Sequence, residues 1–197
     1  MKRKDAKTQG ITKPHIGFMF NQIGRNISVI NGDMFSSKMQ TLTITVNLQG
    51  TMGKGLALLA KQKFPDVNEV YQEACRTKAV KAGRPYLYKR EDLVAHKWFL
   101  LFATKRHWRS NSRLEDIESG LDWVKSNFEN QGIQSLAMPA LGCGLGRLDW
   151  KDVGPVMCRY LHKMGIPVAI YLPHEGDIDS QYLEESYLLP HLKQIPF

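Results

Sequence analysis

The stretch TLTITVNLQGTMGKG (41–55) runs a β-branched, alternating segment straight into a glycine-rich turn. TLTITVNL (41–48) has the period-two pattern of a strand. LALLAKQKF (56–64) then reads as a short helix, stopped at Pro65. The same arrangement recurs further on, where SLAMPAL (135–141) enters LGCGLGRLDW (141–150) and the helix KDVGPVMCRYLHKM (151–164) follows. In an open α/β sheet, ligands bind beyond the carboxyl ends of the strands, where such turns lie.

Outward from these two units the elements alternate. HIGFMFNQI (15–23) and ISVINGDMF (27–35) read as strands joined through Gly24, Arg25 and Asn26. DVNEVYQEACRTKAV (66–80) is a helix, RPYLYKR (84–90) a strand, EDLVAH (91–96) a loop and KWFLLFAT (97–104) an apolar strand. The polar segment KRHWRSNSR (105–113) leads into the amphipathic helix 114–132, which has a glycine at its end, and PVAIYLP (167–173) is the last strand. Strands alternating with helices argue for an α/β sandwich with a largely parallel sheet. The expected organisation is a basic flexible arm (1–14), one domain (15–173) and a short extension with one short helix (174–197).

With 197 residues, 43% hydrophobic and 10% aromatic, the chain can bury a core without metals or disulfides. Repeats are absent, and no apolar run reaches the ~18 residues of a membrane span. The basic N-terminus is not followed by a signal-type apolar segment, so a cytoplasmic protein is expected. Cys75, Cys143 and Cys158 lack ligand spacing and read as reduced thiols, with no metal site. A monomer without a membrane partner is the expectation. The net charge of +8 attracts polyanions, whether nucleic acid or a small diphosphate.

Glycines in the two turns let backbone N–H groups approach phosphate oxygens, and a following helix N-terminus favours an anion. Two such turns in one domain suggest a ligand gripped at two places, as a diphosphate would be. The P-loop pattern fails: Gly50 and Gly55 have its spacing, but Leu56 and Ala57 follow. The dinucleotide fingerprint fails too, because Arg147 stands where a third glycine belongs after Gly142 and Gly144. Tight turns that bind nothing are the plain alternative.

INGDMF (30–35), VNLQGTMGKGLA (46–57), FPDV (64–67), TKRHWRSNSRLEDIE (104–118) and MPALGCGLGRLDW (138–150) together resemble the macrodomain family, over roughly residues 27–173. The branch they resemble is that of the DarG-type antitoxins and the terminal ADP-ribose protein glycohydrolases. The resemblance implies a three-layer α/β/α sandwich with a mixed central sheet and a cleft for ADP-ribose. On matching positions, Asp33 would take the adenine amine, with Met34 beside it, and Asn47 would face the distal ribose. Met52, Gly53, Lys54 and Gly55 would form the first phosphate loop. Ala140, Leu141, Gly142, Cys143, Gly144, Leu145, Gly146 and Arg147 would form the second, with Thr104 at the strand end. No cofactor is implied. Without the resemblance, Asp33 and Asn47 could equally be turn formers, and Lys54 a solvated charge.

Lys105 matches the lysine on which this branch's glycohydrolase chemistry depends, and Asn47 is its expected catalytic companion. Lys105 leaves a very apolar strand, so its ammonium should emerge at the cleft rim. An unperturbed lysine, with pKa ~10.4, is protonated at neutral pH; nearby cations such as Arg106 and Arg109, and desolvation, would disfavour that form. A free amine could attack an anomeric carbon and pass through a Schiff base; an ammonium could instead stabilise the leaving group. In the human member of the branch an aspartate, thought to help release the lysine adduct, stands where this chain has Gly146. That departure weakens the covalent route and favours direct hydrolysis. Asp149 reads as a helix start, and Cys143 as backbone packing. His107 and Trp108 could brace the loop or contact a base; with Arg106 and Arg109 they form the candidate DNA contact.

The leading functional expectation is removal of ADP-ribose from thymidine in DNA, reversing a DarT-like ADP-ribosyltransferase toxin. Alternatives are hydrolysis of protein-glutamate ADP-ribose esters, O-acetyl-ADP-ribose or ADP-ribose-1″-phosphate, and a non-catalytic ADP-ribose reader. A basic nucleic-acid module without ADP-ribose would leave the paired glycine turns unexplained.

Overall fold

The computed structural model describes residues 20–91, 97–173 and 178–190. Seven strands form one sheet: β1 Phe20–Ile23, β2 Ile27–Ile30, β3 Thr41–Asn47, β4 Tyr86–Tyr88, β5 Trp98–Lys105, β6 Leu136–Pro139 and β7 Val168–Tyr171. Their order is β1-β2-β7-β6-β3-β5-β4, parallel from β2 to β5 and antiparallel at both edges. Helices α1 Gly55–Lys63 and α2 Pro65–Arg76 cover one face; α3 Leu114–Gln131, α4 Trp150–Leu161 and the short α5 Glu185–Leu188 cover the other. This is the expected three-layer sandwich with a mixed, largely parallel sheet.

The central strands are buried on both sides because both faces are covered, and the polar residues Thr41 and Thr43 of β3 are buried with them. In β5, Phe99, Leu101 and Ala103 pack toward Val67 and Tyr71 of α2, while Leu100 and Phe102 pack toward Ile117 and Leu121 of α3. No helix among the described residues is long and apolar enough to cross a membrane.

Local chemistry sets the element ends. Pro65 occupies the first turn of α2, where a missing N–H costs nothing. Gly132 closes α3 in the left-handed conformation, φ 75°. Asp149 caps α4 by accepting from the Lys151 N–H at 3.1 Å. Pro155 lies inside α4 and leaves the Lys151 carbonyl, four residues back, without its helical donor. The Tyr187 hydroxyl donates to that carbonyl at 3.0 Å, so α5 fills the gap.

Some boundaries differ from the sequence reading. β2 stops at Ile30 rather than running to residue 35, because Asp33 caps a 3-10 turn over Met34–Ser36. α2 ends at Arg76, and Lys78 reverses the chain with φ 56°. β4 is shorter than 84–90, and α4 passes into a 3-10 turn at His162–Met164. The basic arm 1–14, residues 15–19 of the first expected strand and most of the loop 91–96 lie outside the described residues. Within the expected C-terminal extension, residues 180–188 form a 3-10 turn and α5, with Leu183 and Leu188 buried in the core around α4.

Candidate active site at the strand ends

β6, β3 and β5 are adjacent and parallel, so their carboxyl ends open on the same edge of the sheet. Three connections leave there: the first glycine loop after Asn47, the segment after Lys105 and the second glycine loop after Pro139. The β3–β5 register shifts between Val46 and Asn47, and Asn47 then pairs with Lys105. Two residues 58 positions apart in sequence thus stand side by side on neighbouring strands.

The first loop is shaped by Asn47. Its amide donates to the Thr51 carbonyl at 2.7 Å, and its Oδ1 accepts from the Gln49 N–H at 2.9 Å. The Tyr71 hydroxyl lies 2.8 Å from the Asn47 carbonyl and 3.1 Å from its Oδ1. Burial, chiefly, raises the Tyr71 pKa, so the phenol stays a proton donor. Asn47 therefore holds the loop form as well as standing beside Lys105. Met52 is buried beneath the loop, while Gly53, Lys54 and Gly55 are exposed where α1 begins.

In the second loop, Ala140, Leu141, Gly142 and Gly146 are buried, and Gly144, Leu145 and Arg147 are exposed. A Cβ on Gly142 would lie 2.7 Å from Ile117 Cδ1, so only glycine lets this backbone sit against α3. A Cβ on Gly146 would lie 2.4 Å from the Ser112 Oγ, so the space a side chain would need is filled. Ser112 also donates its N–H to the Gly146 carbonyl at 3.0 Å, tying the second loop to the segment after Lys105. Leu145 reaches across to the first loop, where its Cδ1 would lie 3.0 Å from a Cβ on Gly55. The two glycine loops thus meet over the strand ends.

Lys105 is half-buried at the end of β5, and its pKa is lowered, first by desolvation and then by the Arg147 charge. The cation that acts on it comes from the second loop. Arg106, the sequence neighbour expected to do so, instead makes a two-pronged pair with Asp116 in the first turn of α3, at 3.0 and 2.8 Å. Arg106 lies one residue past the end of β5, and its side chain turns to α3. Among the described residues no carboxylate pairs with Lys105 or Arg147. Thr104 is buried beside them.

The remaining candidates fall around this centre. Asp33 follows β2 at the same sheet edge, its carboxylate accepting from the Phe35 N–H at 3.0 Å and the Ser36 hydroxyl at 3.3 Å. Met34 is buried in the α1–α2 core, which leaves only its backbone for a ligand. Burial and then Asp149 and Asp152 push the Cys143 thiol up to about 12, which disfavours the thiolate that a nucleophile needs. His107 and Trp108 are both exposed, and His107 Nδ1 accepts from the Arg109 N–H at 3.1 Å, so the imidazole braces the turn it stands on. Ser112, Tyr71 and Asp116 escaped the sequence reading, since nothing distinguishes them there from a loop serine, a core tyrosine and a first-turn acid.

Residues 44–157, from β3 into α4, match the family model described as Macro domain. The chain belongs to the macrodomain family. It is 50% identical to a DNA ADP-ribosyl transferase–DNA ADP-ribosyl glycohydrolase fusion protein of Thermosipho africanus, over 91% of this chain and 51% of the relative. Thermosipho africanus DarTG in complex with ADP-ribose superposes with a TM-score of 0.85 at 52% identity, covering 87% of this chain and 48% of that one. The macrodomain of Mycobacterium tuberculosis DarG superposes with a TM-score of 0.72 at 34% identity, covering 76% of this chain and 99% of that one. This macrodomain spans about half the length, or less, of the first curated relatives it matches.

Proposed function

We propose that this macrodomain is a DNA ADP-ribosyl glycohydrolase that releases ADP-ribose from thymidine and so reverses a DarT-like ADP-ribosyltransferase. The observation that carries the reading is Lys105 beside Asn47 and within reach of the Arg147 charge, between two glycine loops and, among the described residues, without a carboxylate partner. Two uncompensated cations at such a cleft favour an anion, and the loops are built for backbone contact with phosphate. The names of the similar proteins supply the substrate class: transferase and glycohydrolase occur together in the Thermosipho relative.

In the proposed reaction, a water oxygen bonds to the anomeric carbon as the bond from that carbon to the base nitrogen breaks. The electron pair leaves with the nitrogen, which takes a proton from the Lys105 ammonium. The attacking water gives up a proton to solvent, and the lysine is reprotonated from solvent. A lysine with a lowered pKa is a better proton donor than an ordinary one. The diphosphate of the bound ligand opposes the Arg147 charge and keeps Lys105 protonated until the transfer. Gly146 brings no carboxylate to the second loop, and Ser112 occupies the space one would need. Direct hydrolysis therefore suits this site better than a lysine adduct.

The test measures ADP-ribose release from a thymidine adduct on a short single strand, with a glutamate-ADP-ribosylated protein in parallel. Wild type should cleave the DNA adduct, and Lys105→Ala should lose on the order of a hundredfold or more in kcat. Cleavage of the protein ester alone would replace this reading with ester hydrolysis. Binding of ADP-ribose without cleavage of either adduct would make the chain a reader.

A further inference from the structure

Beside Lys105 the surface carries an aromatic feature that the hydrolysis itself does not use. Trp108 is 47% exposed, and among the described residues the other exposed large hydrophobic side chains are Leu59 and Leu145. The His107 ring stacks on Trp108 with centroids 5.7 Å apart and planes 20° from parallel. The Arg109 guanidinium lies 4.4 Å from the indole centroid. Imidazole and guanidinium thus both lie against the indole, which stays about half open to solvent.

The backbone beneath is fastened at several points. The Ser110 N–H donates to the His107 carbonyl at 3.0 Å, and the Arg109 N–H donates to His107 Nδ1 at 3.1 Å. The Ser110 hydroxyl donates to that same carbonyl at 2.8 Å. Arg106 is held by Asp116 on one side, and Ser112 is tied to the second loop on the other. A turn anchored this closely to its neighbours displays an exposed tryptophan at little ordering cost on binding. The segment KRHWRSNSR (105–113) has four Lys or Arg residues and no acid, within a chain of net charge +8. Exposed planar groups interleaved with cations are the surface on which unpaired nucleobases stack while the backbone is held by charge.

We propose that His107, Trp108 and Arg109 form a stacking platform that binds the unpaired nucleobases flanking the modified nucleotide. Arg106, locked to Asp116, is a positioning residue for the platform. The proposal rests on the glycohydrolase reading for the adduct but not for binding itself, and the two can fail separately.

Binding of an unmodified, fluorescein-labelled single-stranded oligonucleotide at low salt is compared for wild type, Trp108→Ala and Trp108→Phe. Release from an ADP-ribosylated oligonucleotide and from an ADP-ribosylated nucleoside is measured beside it. Trp108→Ala should weaken oligonucleotide binding about tenfold or more. Trp108→Phe should retain part of the affinity and lose the quenching of indole fluorescence. The KM for the oligonucleotide adduct should rise in Trp108→Ala, with kcat and the nucleoside adduct little changed. Oligonucleotide binding that depends on Trp108, in a chain that cleaves neither adduct, would support the platform and sink the glycohydrolase reading. Equal binding and equal KM in all three proteins would overturn the platform and leave that reading standing. A Trp108→Ala defect confined to an ADP-ribosylated protein substrate would overturn it in favour of a protein partner.

Discussion

At Lys105 two chemistries predict opposite pH behaviour. The ammonium is the active form in direct hydrolysis, so kcat/KM should be level at lower pH and fall as the lysine loses its proton. Desolvation and Arg147 place that fall below the 10.5 of an ordinary lysine. An amine nucleophile would instead gain activity as pH rises through the same range. Lys105→Arg keeps the charge and cannot titrate there, so any activity it retains should lack the alkaline fall. A pH–rate profile of the two proteins on one DNA adduct checks this, and a rising alkaline limb in wild type would restore the covalent route.

At the scale of elements, the site depends on β5 and α3 lying close together. Gly120 stands mid-helix in α3, where a Cβ would lie 2.3 Å from Cζ of the buried Phe102 in β5. Two effects compete in Gly120→Ala. Helix propensity favours alanine by about 1 kcal/mol, and overpacking a buried ring costs about 1–3 kcal/mol. Phe102 is 1% exposed, and a Cβ on Gly120 would crowd three of its ring atoms, so packing should win. Thermal unfolding should show a lower Tm for Gly120→Ala; a higher one would mean the ring can move aside. The same helix supplies Asp116 for Arg106, and hence the anchor of the segment after Lys105. Since the Arg106 side chain is half exposed, that pair contributes position more than stability.

Over the whole molecule, the segment 178–190 belongs to the domain rather than trailing from it. Leu183, Leu188 and Leu189 are buried, the Trp150 indole donates to the Tyr182 carbonyl at 3.0 Å, and Asn21 donates to the Leu183 carbonyl at 3.3 Å. Burial of each such leucine is worth about 1.5–3 kcal/mol, a large share of the roughly 5–15 kcal/mol that holds a domain folded. A chain ending at Pro173 should therefore unfold at a markedly lower temperature or aggregate. Calorimetry of the two chains decides it, and an unchanged Tm would show that the segment only rests on α4. Tyr187→Phe, which removes only the hydroxyl over the Pro155 gap, should cost about 0.5–1.5 kcal/mol.

What the sequence by itself determined was whatever depends on neighbours along the chain. Alternation in TLTITVNL, the strand–glycine–helix order of both turns and the caps at Pro65, Asp149 and Gly132 are local, and they placed the sandwich and its two loops. Lys105 was legible at a strand end because a long apolar run stops there, and its role came from motif resemblance. The strand order that seats Asn47 beside Lys105 was not legible, because register is set by the packing of both sheet faces. Nor was the origin of the charge next to Lys105: Arg147 arrives from a loop after β6, while the adjacent Arg106 turns away to Asp116. Gly120 and Gly146 look alike in sequence to any other glycine. Only the tertiary structure, by putting Phe102 and Ser112 against them, shows what a side chain at either place would have to displace.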